Sequence, residues 1–247
     1  MTDASAAALT AREQDLAGQR LIVIGGSCGI GLKTAQLARA RGAAIILVAR
    51  DPDPLHRAGL ELEAGISAFD ATDFDRLGRF FDALPEPVDH VVVTGRAPGA
   101  VPQGEFDLHT ARRDVDLHLL LPLHIARRAA HALRPAGSLL LIGGAAARRG
   151  TADAMAAALT AARPALTRSL ALDLAPVRVN AITASFTSTP PSAAPSGQPS
   201  DRGRSTLLAE RSVGPADLAA LAVHLMLDTA VTGATVDIAD GRRYVPE

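Results

Sequence analysis

The sequence predicts a single doubly wound parallel α/β domain of about seven strands, with helices on both faces of the sheet. Three observations carry that expectation. The apolar stretch 21–24 runs straight into a glycine-rich turn, and an apolar helical pattern follows at once. Strand-like and helix-like segments then alternate to the end of the chain. The strands are continuous apolar runs, such as AAIILVA at 43–49, which suits strands covered on both faces.

The composition supports one full core. The chain has 247 residues, 48% of them hydrophobic, with a net charge of −1. That charge balance offers no basic face to nucleic acid. No apolar run is long enough to span a membrane, and residues 1–19 lack the pattern of a signal peptide, so a cytoplasmic location is expected. Cys28 is the only cysteine, which excludes an intramolecular disulfide and argues against a metal cluster.

Taken in order, residues 1–18 read as an N-terminal arm and 19–247 as the domain. The first strand is 21–24 and the first helix 31–40, closed by Gly42. A strand at 43–49, a helix at 55–64 and a strand at 66–69 follow. Asp73 or Thr72 caps a helix at 74–84. The fourth strand is 88–94. A long helix spans 111–133, and Pro135 and Gly137 stop it before a fifth strand at 138–142. Another helix lies within 154–174, and the sixth strand is 177–182. Residues 183–214 are rich in Ser, Pro and Gly and too long for an ordinary connection, which marks 184–215 as a substrate loop. A helix at 217–227 and a strand at 235–238 complete the pattern.

The turn at 25–31 reads Gly-Gly-Ser-Cys-Gly-Ile-Gly. Strand, glycine turn and helix are the Rossmann-like geometry that holds a pyrophosphate. Gly25 permits the sharp turn, Gly29 the approach of backbone to phosphate, and Gly31 the close packing of helix on strand. The helix N-terminus, with the backbone of Ser27, Cys28 and Ile30, then faces the anion. Arg50 ends the second strand, where an acid would favour NAD and an arginine suits the 2′-phosphate of NADP(H). Asp70 ends the third strand, followed by Ala71. It either accepts a hydrogen bond from an adenine amino group or makes a simple turn.

Over essentially its whole length the chain resembles the short-chain dehydrogenase/reductase family. Gly25, Gly29 and Gly31 match the cofactor glycines, and Asp70 the adenine contact. Thr94-Gly95-Arg96 stands where the family has Asn-Ala-Gly, and 166–182 matches its helix and following strand. Val213-Gly214-Pro215, Thr232-Gly233-Ala234 and 236–241 also match. The resemblance implies hydride transfer between a nicotinamide cofactor and a carbonyl or alcohol. It also implies cofactor contacts from Ala71, Thr94, Gly95, Thr160 and Thr189, and pairing of subunits into a homodimer or homotetramer through the two long helices and the last strand.

The family's proton-handling residues are absent from their places. The tyrosine position falls on Ala156, the lysine position on Thr160, the serine position on Gly143 or Gly144, and the asparagine position on Asp116. The only lysine is Lys33 and the only tyrosine is Tyr244, so no Tyr-x-x-x-Lys exists in the chain. A positioned acid contributes about 10²–10⁴-fold to such a reaction, so its loss slows hydride transfer without forbidding it. Asp116 and His118 are the replacement candidates, each also readable as a structural residue. Two positions apart on a helix, they cannot both face one pocket. Arg148, Arg149 and Asp153 border the site in sequence. Pro122 and Pro164 deprive the carbonyls of His118 and Thr160 of their helical partners, unless the helix around Pro164 starts only near Thr160.

The expectation is therefore an atypical NADP(H)-dependent reductase. Its small-molecule substrate is a ketone, of the polycyclic or secondary-metabolite kind, with water or the substrate itself as proton source. The alternatives are a catalytically inactive cofactor-binding homologue, acting as sensor or scaffold, and a non-redox reaction in the same pocket.

Overall fold

The computed structural model describes residues 15–98, 107–144, 154–185 and 213–239. They form β1 (Arg20–Ile24), α1 (Gly29–Ala40), β2 (Ala44–Ala49), α2 (Pro52–Leu62), β3 (Gly65–Ala68), α3 (Phe74–Asp82) and β4 (Val88–Thr94). There follow α4 (Leu108–Val115), a π-helical turn (Asp116–Leu120), α5 (Leu121–Ala132), β5 (Leu133–Gly144), α6 (Ala154–Asp173), β6 (Arg178–Ser185), α7 (Pro215–Leu227) and β7 (Thr235–Ala239). All seven strands join one parallel sheet of order β3-β2-β1-β4-β5-β6-β7. The order reverses between β1 and β4, so a crevice opens at the C-terminal ends of these two strands. No helix among the described residues is long and apolar enough to cross a membrane.

The strands are apolar on both sides because two cores need them. Leu21, Val23, Leu47, Val92 and Leu140 pack with residues of α1, α2 and α7, including Ala35, Leu55 and Ala222. Their neighbours Ile22, Ile24, Val48, Val91 and Leu139 face the opposite way, onto Leu77 and Phe81 of α3, Ile125 of α5 and Leu170 of α6. That is the period-two alternation of a strand, with both faces apolar.

Local chemistry explains where the elements begin. Asp51 caps α2 by accepting from the N–H of Asp53 at 3.2 Å, and Pro52 takes the first helical place, so the helix starts ahead of the expected 55. Of the two expected caps for α3, Asp73 serves, accepting from Arg76 N–H at 3.0 Å. Asp107 accepts from the N–H groups of His109 and Thr110, which starts α4 at Leu108 rather than at 111.

Two expected helices differ from the sequence reading. The stretch 111–133 is not one regular α-helix. Pro122 has no N–H, so the ladder widens before it and Leu121 N–H donates to the carbonyl of Asp116, five residues back. By contrast α6 runs through Pro164 from Ala154, so the late start near Thr160 is ruled out. Pro135 and Gly137 do end the preceding helix, but they lie inside β5. That strand begins at Leu133 opposite Val88, shifts register, and pairs Ser138 with His90. In place of the expected loop from 183, β6 continues to Ser185.

Buried polar groups tie the sheet to its flanks. Arg178 donates to the carbonyls of Leu225 and Met226 at 2.7 and 2.8 Å, satisfying the last turn of α7. His90 sits between Ser138 Oγ at 2.8 Å and Gln19 Oε1 at 2.6 Å. Burial, aided by the Arg178 charge, pushes its pKa down to about 4. Unfolded, the same histidine titrates at about 6.5. Above that pH both states are neutral and the fold keeps its full stability. Between 6.5 and 4 the unfolded chain binds a proton that the fold refuses, so stability falls on acidification. Thermal melts from pH 7.5 to 4.5 should show this loss, and His90→Gln should flatten it by up to about 1.4 kcal/mol per pH unit. An unchanged slope in the variant would assign the loss elsewhere.

Candidate active site

The glycine turn between β1 and α1 is built without side chains where it is tightest. Gly25 has φ +84° and Gly29 φ +56°, backbone that favours glycine. A Cβ on Gly31 would overlap the carbonyl oxygen of Gly25, and one on Gly25 would lie 2.6 Å from the carbonyl oxygen of Thr94. The Thr94 hydroxyl donates to the carbonyls of Ile24 and Gly25, each at 3.1 Å, and so fastens the turn to the end of β4. The first-turn N–H groups of α1 have no intrahelical acceptor. Cys28 makes no side-chain cap and no acid stands in the first turn, so nothing within the helix competes for an anion.

The neighbouring strand ends place charge beside this turn. Arg50 is largely exposed and lies 3.9 Å from Asp70. Asp70 Oδ1 accepts from the backbone N–H and the hydroxyl of Thr72, at 3.0 and 2.7 Å, so the aspartate does make a turn. Burial raises the Asp70 pKa. The Thr72 bonds and the charges of Arg50 and Arg113 outweigh that, and the carboxyl sits below its usual value.

The positions that the sequence resemblance assigns to proton transfer are occupied by small or helix-bonded residues. Ala156 is buried and Thr160 bonds its own helix, donating to the Ala156 carbonyl at 2.8 Å. Gly144 lies against Ala97, and Gly143 against the guanidinium of Arg163. Thr189, Arg148, Arg149, Asp153 and Tyr244 lie outside the described residues, as does most of 184–215.

Next to these positions, a cavity of about 20 Å³ is lined by Val93 and Gly95 from the end of β4 and by Leu141 and Ile142 of β5. Leu117, His118 and Pro122 close it from the π-helical region, and Arg163 and Leu166 from α6. That volume has room for one water-sized group. His118 lines the cavity and Asp116, half-buried, does not. Arg163 Nη2 lies 3.4 Å from His118 Nδ1, while His118 Nε2 has no partner among the described residues. Burial, then the Arg163 charge, pushes the His118 pKa down to about 4, so the ring is neutral at physiological pH. Just outside, Arg96 pairs with the buried carboxylate of Asp114. His124 stacks on Phe74 with ring centroids 3.9 Å apart.

Sequence reasoning missed Arg163. The signal was present: Ala156, Leu159, Arg163, Thr167 and Leu170 form one buried stripe of α6 at helical spacing, with a single charge inside it. An arginine on an apolar stripe is informative, because charged groups are seldom buried unless something pairs with them.

Comparison with known proteins agrees with this architecture. Residues 25–242 match the family described as enoyl-(acyl carrier protein) reductase. The chain is 30% identical to the short-chain dehydrogenase/reductase ATR9 of Stachybotrys chlorohalonatus, over 89% of this chain and 95% of that protein. It is 29% identical to cis-4-hydroxycyclohexanecarboxylate dehydrogenase of Sinomonas cyclohexanicum, over 89% and 94%. Among solved structures, a short-chain dehydrogenase of Burkholderia cenocepacia in complex with NADP superposes with a TM-score of 0.82 at 23% identity, over 92% of this chain and 98% of that one. BdcA in complex with NADPH gives 0.80 at 23% identity, over 90% and 93%. On the family match and the full-length relative together, the chain belongs to the short-chain dehydrogenase/reductase family.

Proposed function

We propose that the protein is an NADP(H)-dependent reductase of a ketone, of the polycyclic or secondary-metabolite kind, that works without a tyrosine-lysine pair. The observation that carries this is the glycine turn: a helix N-terminus open to an anion, at the reversal point of the sheet, with Arg50 at the adjoining strand end. The binding of NADP and NADPH by the Burkholderia dehydrogenase and BdcA supports the choice of cofactor.

In this reading the turn of Gly25, Ser27, Cys28, Gly29, Ile30 and Gly31 receives the pyrophosphate, and Arg50 the 2′-phosphate. Asp70 and Ala71 lie at the adenine end, and Thr94 and Gly95 beside the nicotinamide half. The bound dihydronicotinamide supplies a hydride to the carbonyl carbon. The chain's own task is to hold the ketone, exclude bulk water and stabilise charge on the oxygen. The proton comes from water or from the substrate. With its neutral ring, His118 is a hydrogen-bond donor at physiological pH rather than an imidazolium acid. A second reading is a cofactor-binding protein without turnover, and the buried Ala156 in place of an acid favours it. We further infer a homodimer or homotetramer paired through the helical stretch 111–133, α6 and the last strand; Leu120 and Leu123 of that stretch and Leu172 of α6 are exposed.

Titration with NADPH and NADH, then turnover on quinones and polycyclic ketones, tests the reading. Tight NADPH binding with turnover is expected, and binding without turnover would favour the second. Arg50→Asp should weaken NADPH at least about tenfold relative to NADH, since it replaces an attraction to phosphate by a repulsion. An unchanged preference would remove Arg50 from cofactor choice. Gly31→Ala should cost about 1–3 kcal/mol of stability, measured by urea unfolding, because its methyl meets backbone that cannot move aside. Light scattering at working concentration should give two or four chains per particle. A monomer would end the pairing proposal.

A further inference from the structure

Two cations act on the adenosine end of the crevice, and the reading above uses one of them. Arg50 follows β2 and Arg113 lies on α4, and both are exposed. They share a carboxylate, Asp70. Its Oδ1 is held by the N–H and hydroxyl of Thr72 at 3.0 and 2.7 Å. Its Oδ2 stands 3.9 Å from Arg50 Nη1, too far for a hydrogen bond. The Arg113 charge acts on the same carboxyl and, with Arg50 and the Thr72 bonds, holds its pKa below the usual value against the effect of burial. The neighbouring acids are spent elsewhere: Asp51 caps α2 and Asp73 caps α3.

Helix packing explains how α4 reaches this place. His124 of α5 stacks on Phe74 at the start of α3, and Arg128, further along α5, pairs with Asp82 at the end of α3. The two helices therefore run side by side in the same direction. The chain ahead of α5, which includes α4, accordingly lies beside the chain ahead of α3, which includes Asp70.

Charge then says what the second cation is for. One arginine beside one carboxylate presents no net charge to an incoming phosphate. Asp70 is fixed by Thr72 and stays, so its charge opposes any anion that Arg50 receives. A phosphate monoester carries about −1.5 to −2 at neutral pH and takes more than one guanidinium fork. Arg113 makes the three groups together positive.

We propose that Arg113 is a second specificity residue for the cofactor, joining Arg50 in holding the 2′-phosphate of NADPH against the opposing charge of Asp70; this rests on the cofactor reading above. A 2′-hydroxyl, as in NADH, carries no charge for Arg113 to meet.

The test is calorimetric titration of the full-length protein with NADPH, NADH, adenosine 2′-monophosphate, adenosine and inorganic phosphate. Arg113→Met should weaken NADPH and adenosine 2′-monophosphate about 3–10-fold and leave NADH and adenosine within twofold, because the lost contact is an exposed, charge-assisted one. Arg113→Lys should recover part of the loss. The residue is exposed, so melting temperatures should match the parent. Without any ligand, the ¹³C carboxyl titration of Asp70 should move to higher pH in Arg113→Met and stay with the parent in Arg113→Lys. An unchanged NADPH affinity in Arg113→Met overturns the proposal. So does an equal loss for NADH and adenosine, which would assign Arg113 to the adenine ring, or inorganic phosphate binding as tightly as adenosine 2′-monophosphate, which would mark a free-anion site. Failure of the parent to bind either dinucleotide overturns the cofactor reading instead, and the Asp70 titration stands apart from it.

Discussion

The site depends on a contact from which side chains are excluded. The Gly25 carbonyl lies where a Cβ on Gly31 would be, and the end of β4 presses on Gly25 from the other side. Only glycine at both places lets α1 start directly behind β1 while β4 closes alongside. The Thr94 hydroxyl then joins the two strand ends by bonding Ile24 and Gly25. From that junction follow the open N-terminus of α1, the crevice at the sheet's reversal and the placing of Gly95 at the mouth of the neighbouring cavity. Substituting any of these glycines moves backbone, and backbone in a seven-stranded sheet has nowhere to go.

Charge is the second constraint. A guanidinium taken out of water loses far more hydration than one weak contact to an imidazole returns. Burial accordingly lowers the Arg163 pKa and draws the His118 pKa down with it. The arrangement survives because the histidine stays neutral beside the cation, and because Gly143 makes room. The π-helical turn contributes too. By widening the helix before Pro122 it sets His118 towards α6 and leaves Asp116, two residues away, off the cavity wall. A regular helix places side chains two apart on different faces, and the extra residue in the turn does not undo that.

Much of this was legible in the chain. The order of strands and helices, the glycine turn and the Asp73 cap follow from local patterns: apolar runs, glycine at turns, and side chains that bond their own backbone. Element ends were less legible where a cap lay a residue or two outside the apolar pattern, as with Asp51 and Asp107. Pro164 shows the limit in the other direction. Read locally a proline suggests a helix start, yet α6 passes through it because the stripe from Ala156 to Leu170 is buried on both sides of the break. Packing outweighed one missing hydrogen bond.

The sequence by itself determined the doubly wound sheet, the glycine turn between the first strand and the first helix, and the absence of a Tyr-x-x-x-Lys motif, since each rests on residues adjacent in the chain or missing from it altogether. Tertiary structure alone decided that Arg163 meets His118 across a cavity floored by β4 and β5, over a glycine twenty residues upstream. Those groups come from separate elements, and which of them meet depends on strand order, on the π-helical turn and on the roll of α6. Such distances are set by packing between elements, and no local pattern records them.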